Sequence, residues 1–313
     1  MEVQPEVYMK SYSGLATFFR AKYRPDWETG APLDIALVGI PSDLGLTQRT
    51  GARHGPREIR NQSCNVFYYN PLLKMTPFGK LAIGDIGDVL IPSVFDLEKV
   101  AASIESTYQR LVDRNIAPVT AGGDHSVTYP ILKALGRKAP LGVIHIDAHL
   151  DLGEELNGSV LHHGCAFIKG AKEGFIDPKR TIHIGIRDPY MLMETYGDEA
   201  GMTTIDIDRF YALGVDAVAA EARRIVGDGP TYISFDVDAL DPAYAPGTGT
   251  PVVGGMTSYE AKRLLQGLRG LNIIGADLVE VSPPFDSAGI TALAGAQLMF
   301  ELLCLIADRR LTA

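Results

Sequence analysis

Three short stretches of this 313-residue chain concentrate side chains able to bind metal ions. Asp147-Ala148-His149-Leu150-Asp151, Asp236-Val237-Asp238 and Gly122-Gly123-Asp124-His125-Ser126 each follow an apolar run. In extended backbone, residues two apart share a side. Asp147, His149 and Asp151 therefore leave their segment together, as do Asp236 and Asp238. The paired glycines before Asp124 permit a tight turn that presents His125. Glu280 closes a fourth apolar run and is followed by Ser282-Pro283-Pro284. Together His125, Asp147, His149, Asp151, Asp236 and Asp238 are too many ligands for one catalytic ion and enough for two that share carboxylates. Mixed imidazole and carboxylate donors suit Mn²⁺, Co²⁺, Ni²⁺ or Zn²⁺, whereas Mg²⁺ and Ca²⁺ favour all-oxygen sites. Taken singly, an Asp-x-Asp can be a cap and a Gly-Gly turn a plain connection. Their joint placement after separate apolar runs argues against that bland reading.

The apolar runs at 34–40, 116–120, 141–146, 181–186, 203–207, 231–235 and 273–281 are candidate strands. Their continuous Ile/Val/Leu character fits strands buried on both faces, as in a parallel sheet. Between them, 97–114 carries apolar Val100, Ala101, Ile104, Tyr108 and Leu111 at helical spacing. Shorter helical patterns cover 128–135, 215–226 and 258–268, and an apolar helix over 292–308 closes the chain. This alternation predicts a single three-layer α/β/α domain over 34–313 with a mainly parallel sheet, preceded by an arm at 1–33. In such sheets ligands bind beyond the carboxyl ends of the strands, where all four candidate tips stand.

Lys+Arg 29 against Asp+Glu 38 gives a net charge of −9. That balance argues against nucleic acid as a partner and mildly favours a cationic ligand. Cys64, Cys165 and Cys304 are scattered, with no Cys-x-x-Cys pair, so no disulfide framework or zinc knuckle is expected. Residues 1–20 carry charges throughout and lack the apolar stretch of a secretory signal. No uninterrupted apolar run reaches about 18 residues. The expectation is a cytoplasmic protein with no membrane partner.

The motifs resemble those of the ureohydrolase (arginase/agmatinase) family over about residues 33–307. GGDHS at 122–126 and DAHLD at 147–151 are joined by SFDVDALDP at 234–242, similar to the family's third metal motif. AYAPGTGTP at 243–251, RTGARHGP at 49–56 and SGLATFFR at 13–20 resemble the agmatinase branch. The resemblance implies an amidinohydrolase that releases urea from a small guanidino compound. It implies one ion held by His125, Asp147, Asp151 and Asp236, and a second held by Asp147, His149, Asp236 and Asp238, with Asp147 and Asp236 bridging. His163 falls where the family places its proton-shuttling histidine and Glu280 where it holds the guanidinium. The metal is usually manganese, and members are usually trimers or hexamers; a hetero-oligomer with a paralogue stays open.

The chemistry suits these groups. A guanidinium has a pKa above about 12 and a delocalised, weakly electrophilic carbon. A metal can lower the pKa of its water from about 15.7 to about 7. Asp151 could orient the nucleophile through a hydrogen bond, and His163, with an ordinary pKa near 6.5, could protonate the departing nitrogen.

The loop at 152–162 is expected to shape the pocket for the substrate's tail. Leu152 departs from the small or polar residue common in the family, and the residues by which arginases read an amino acid are not recognisable. Glu154 and Glu155 could meet a cationic tail or form a solvated acidic loop. Agmatine, guanidino acids and alkylguanidines or biguanides stay open. So do a formimino hydrolase on the same core, a single-zinc deacylase and a non-catalytic partner subunit. His145 reads as core packing or support behind the ligands, His183 as a core group, His54 and His162 as loop residues, and Cys165 as a small buried side chain.

Overall fold

The computed structural model describes residues 11–190 and 193–312. Nine strands form one sheet among these residues: β1 (Lys22–Tyr23), β2 (Ile35–Gly39), β3 (Ile83–Asp88), β4 (Ala117–Ala121), β5 (Leu141–Ile146), β6 (Ile176–Ile186), β7 (Thr203–Asp206), β8 (Thr231–Asp236) and β9 (Ile273–Val279). Their order is β1-β3-β2-β4-β9-β8-β5-β6-β7, and every pairing is parallel. The helices are α1 (Gly55–Ser63), α2 (Leu97–Asp113), α3 (Thr128–Leu135), α4 (Ala166–Lys172), α5 (Tyr196–Ala200), α6 (Ile207–Leu213), α7 (Val215–Val226), α8 (Ser258–Gly267) and α9 (Ile290–Thr312).

Alternate strand residues feed two cores, which makes three layers. Ile144, Ile146, Ile233, Phe235 and Leu278 pack with α7, α8 and α9 through Val218, Leu264 and Met299. Val143, Tyr232 and Val279 pack on the other face with Ile104 of α2, Leu132 of α3 and Phe167 of α4. Side-chain caps fix two helix starts: Asp96 accepts from the amide of Lys99, and Thr257 and Glu260 form a reciprocal box before α8. α9 is long and apolar enough to cross a bilayer by length and composition, but 78% of its apolar window is buried inside the protein. It is a core helix, apolar all round because it is covered all round.

All seven expected strands form. β6 starts at Ile176 because Asp177, Pro178, Lys179 and Arg180 extend it without a hydrophobic signal. Two strands were not anticipated. β3 reads Ile-Gly-Asp-Ile-Gly-Asp, a poor strand composition, and is anchored by Asp85, which accepts from Arg60 and from the amide of Phe18. β1 lies within the stretch expected to be an arm and adds a two-residue edge beside β3. The first ten residues of that arm lie outside the described residues.

The register positions the site. Ala121 of β4 pairs with Leu278 of β9, Leu278 with Phe235 of β8, and Phe235 with Ile146 of β5. Four adjacent central strands therefore end at one level. Neighbouring strands lie about 4.8 Å apart, so side chains leaving these tips can converge.

Candidate metal centre

The four level tips bring the sequence-predicted residues together. β5 runs into Asp147, His149 and Asp151, β8 into Asp236 and Asp238, β4 into the turn carrying His125, and β9 into Glu280. His125 Nδ1 stands 2.8 Å from Asp151 Oδ2, 3.1 Å from Asp147 Oδ2 and 3.3 Å from Asp236 Oδ2. His149 Nδ1 stands 3.3 Å from Asp147 Oδ1 and 3.2 Å from Asp238 Oδ2. Asp147 thus offers one oxygen to each group. Asp236 turns Oδ2 to His125, while its Oδ1 accepts from the amide of Asp238 at 2.8 Å, as Asp147 Oδ1 does from the amide of His149 at 2.6 Å.

The donor set fits divalent cations. Buried His125 Nδ1 has no hydrogen-bond partner even though three carboxylate oxygens surround it. Ligand atoms of His125, Asp147 and Asp151, and those of Asp147, His149 and Asp238, lie within 4.8 Å of one another, close enough for each group to hold a cation. The electrostatics agree. Burial raises the Asp236 carboxyl well above its usual range, and the charges of Asp238 and Asp147 add to this. Burial also raises Asp238, helped by Asp147. Burial opposes charge on His149 and His125, but the surrounding carboxylates outweigh it, taking His149 up to about 12 and His125 well above its ordinary value. Protein groups alone hold this centre neutral only by retaining protons, which divalent ions would replace. Glu280 lies beside the His125 group, its carboxyl raised by burial and by Asp236 and Asp124.

Asp151 and Glu280 both sit in the left-handed region, at φ 53° and φ 65°. Such strain persists where surrounding structure enforces it and gathers at functional sites. His163 is half-buried beside Asp151, its amide donating to Gly45 O at 3.0 Å and its Nε2 standing 3.3 Å from Thr47 Oγ1. Burial lowers its pKa, Asp151 working against that.

The remaining histidines have defined partners. His145 Nε2 lies 2.7 Å from Asp147 Oδ2, and its Nδ1 lies 2.8 Å from His183 Nδ1, so both support Asp147 from within the sheet. His162 accepts from the amide of Gly164 at 3.2 Å, which shapes the turn carrying His163. Leu152 is buried in the α2–α4 core and so does not line the mouth. Glu154 pairs with Lys172 at 2.7 Å on the surface.

Sequence reading missed Arg187 and Asp188, just past the end of β6. Arg187 donates to the carbonyl oxygens of Asp238 at 2.5 Å, Val252 at 2.7 Å and Leu240 at 3.2 Å. Asp188 Oδ2 stands 3.6 Å from His149 Nε2. Their signal was present, an Arg-Asp pair leaving a strand at the same end as the metal motifs.

Residues 33–304 match the arginase family. A guanidinopropionase of Pseudomonas aeruginosa is 47% identical over 300 residues, covering 95% of this chain and 93% of that protein. A human mitochondrial guanidino acid hydrolase is 43% identical over 279 residues, covering 87% and 78% respectively. Proclavaminate amidino hydrolase from Streptomyces clavuligerus superposes with a TM-score of 0.92 at 35% identity, covering 96% of this chain and all of that one.

Proposed function

The chain belongs to the arginase family, and from that premise we propose how its residues divide the work of hydrolysing a small guanidino compound to urea and an amine. His125, Asp147, Asp151 and Asp236 hold one divalent ion; Asp147, His149, Asp236 and Asp238 hold the other. When bound, the ions supply a water acidic enough to attack at neutral pH and Lewis acidity toward the guanidino group. Glu280 holds the guanidinium, with Oε2 buried and free to accept. Asp151 accepts a hydrogen bond from the attacking water and orients it. His163 moves a proton to the leaving nitrogen, so that a neutral amine departs and urea remains.

The observation that carries this reading is the convergence of His125, Asp147, Asp151 and Asp236 from the level tips of β4, β5 and β8. Residues 34–313 would act as one catalytic unit. Manganese is the ion we assign, on the family resemblance and the mixed donors. The assembly we assign is a homotrimer or homohexamer. Three unpaired cysteines suit the reducing cytoplasm.

The substrate we assign is a guanidino carboxylic acid. The guanidinopropionase and guanidino acid hydrolase named above support that class. So does Arg49, an exposed cation stacked 4.1 Å over Phe285, in the loop whose carbonyl approaches Gly249 next to Glu280. Urea release should be screened over 3-guanidinopropionate, 4-guanidinobutyrate, agmatine, arginine and methylguanidine, with Mn²⁺, Ni²⁺, Co²⁺ and Zn²⁺ added separately. The acids with Mn²⁺ should turn over fastest. Preference for agmatine would overturn the acid assignment, and formamide release from a formimino compound without any urea release would overturn the reaction.

A further inference from the structure

Asp277, in the middle of β9, accepts hydrogen bonds from three hydroxyls. Ser234 Oγ reaches its Oδ1 at 2.7 Å, while Thr128 Oγ1 at 2.7 Å and the Tyr232 hydroxyl at 2.8 Å reach Oδ2. All four residues have no exposed surface. No water competes for these groups, so their protons can be assigned one by one.

A serine hydroxyl has a single proton to donate. Ser234 gives it to Asp277 Oδ1, as Thr128 and Tyr232 give theirs to Oδ2 of the same carboxyl. Toward His125 Nε2, 2.8 Å away, the serine oxygen can then only accept as well. In the neutral ring that would ligate an ion, Nε2 therefore carries the hydrogen, and the lone pair belongs to Nδ1, the atom that faces Asp147, Asp151 and Asp236. We infer that Asp277, acting through Ser234, is the positioning residue that orients His125 to bind the first ion. This rests on the reading of His125 as a metal ligand. Carboxylates commonly fix ligating histidines directly, and losing such a partner costs about 10–100-fold in metal affinity; here a serine hydroxyl carries the effect.

The direction of the chain depends on Asp277 being acceptor-only. In Asp277→Asn, the amide oxygen can keep Thr128 and Tyr232 while the amide nitrogen donates to Ser234. The serine proton then turns to His125 Nε2, which moves the ring hydrogen to Nδ1 and faces it toward the carboxylates. A protonated Nδ1 cannot ligate.

The test is titration of the full-length protein with Mn²⁺, free ion read by electron paramagnetic resonance, in the wild type, D277N, S234A, S234T and the D277N/S234A double variant. The wild type is expected to take two ions, and D277N to bind one of them about 10–100-fold more weakly. S234A should weaken the same ion by about tenfold or more, and S234T should keep wild-type affinity. In the S234A background, D277N should add less than about twofold, because coupled residues do not act additively. A purely structural role for Asp277 would instead give independent, multiplying losses. Two ions at unchanged affinity in D277N would overturn the relay alone. If D277N does not fold, wild-type affinity in S234A overturns it equally. Fewer than two ions in the wild type would overturn the ligand assignment, and the relay with it.

Discussion

The backbone amide of His125 donates to Oε1 of Glu280 at 2.9 Å, joining the tip of β4 to the tip of β9. Oε2 of the same carboxyl is buried without a partner, and the residue is held at φ 65°, a strain on the order of 1–3 kcal/mol. A strained glutamate with an unused buried oxygen is arranged for a ligand that donates. Glu280→Gln keeps an oxygen for the His125 amide and removes only the charge. Losing one partner of a buried charge pair costs about 2–5 kcal/mol, so kcat/KM for a guanidino substrate should fall about 30-fold or more while both metal ions stay bound. Kinetics with metal analysis on the same preparation decide the matter, and unchanged kcat/KM would remove Glu280 from substrate binding.

Asp238 accepts from the amide of Ala148 at 3.1 Å and faces His149 Nδ1 at 3.2 Å, so it orders the β5 tip as well as completing the second group. Asp238→Asn retains the shape and removes the charge. Elemental analysis should find the second ion lost or weakened, and urea release should fall by orders of magnitude. Full turnover with two ions retained would end the two-ion assignment.

The elements holding these groups were legible because buried parallel strands write themselves as unbroken apolar runs, and the ligands follow each run at once. What could not be read was which strands adjoin. Nothing local to GGDHS or to Glu280 says that β9 inserts between β4 and β8; that follows from long-range pairing. β3 was invisible for a different reason. Its glycines and aspartates lower strand propensity, and Asp85 is held by partners distant in sequence, Arg60 and the amide of Phe18. Asp277 was hidden for the same reason, since its partners come from α3 and β8. Leu152 departed from the family pattern by filling the core, a change that sequence reading could not distinguish from a pocket substitution.

Removing metal should make the stability of the protein fall as pH rises above neutrality. His125 and His149 are buried, which disfavours charge, yet the carboxylates around them raise both, His149 to about 12. Folded and metal-free, each keeps a proton that the unfolded chain releases above about pH 6.5. Their contribution is therefore complete below pH 6.5 and is lost as pH climbs toward the folded value, by up to about 1.4 kcal/mol per pH unit for each group. Asp236 and Glu280, raised mainly by burial, act in the same direction from the ordinary carboxylate range upward. His183 is held low by burial and by His145, and matters only below about pH 6.5. Calorimetry of chelator-treated protein should show Tm falling between pH 7 and 9. Excess Mn²⁺ should raise Tm, by about 2.7 kcal/mol of stabilisation at one hundred times Kd, and lessen the fall because the ions displace the protons. A metal-free Tm that rises over this window would contradict the electrostatics of the centre.

His163 stands outside the ligand groups, close enough to feel the charge of Asp151, with its amide on Gly45 O and its ring beside Thr47. His163→Phe preserves bulk and burial but cannot carry a proton. Both ions should remain, and kcat should fall by about 10²–10⁴ as expected for a lost general acid. Loss of an ion from this variant would place the histidine among the ligands instead.

Arg187 offers the last test, because its effect on the centre passes through the backbone. Arg187 is buried, and its guanidinium faces carbonyl oxygens of Asp238, Ala239, Leu240, Gly185 and Val252. Burial lowers its pKa, partly offset by Asp238 and Asp147. A planar fork with five donors can fasten the turn after β8 to the loop at 252 in one piece, which a lysine ammonium cannot do. In Arg187→Lys the charge remains, but several carbonyls lose their donor, each at about 1–3 kcal/mol if left buried and unpaired. The variant should therefore melt lower and bind the second ion, on His149 and Asp238, more weakly than the first. Arg187→Met, which also removes the charge, should weaken both ions less selectively. Thermal melts with Mn²⁺ titration of the two variants separate geometry from charge, and equal, wild-type affinity of both ions in Arg187→Lys would show that the turn holds Asp238 without the fork.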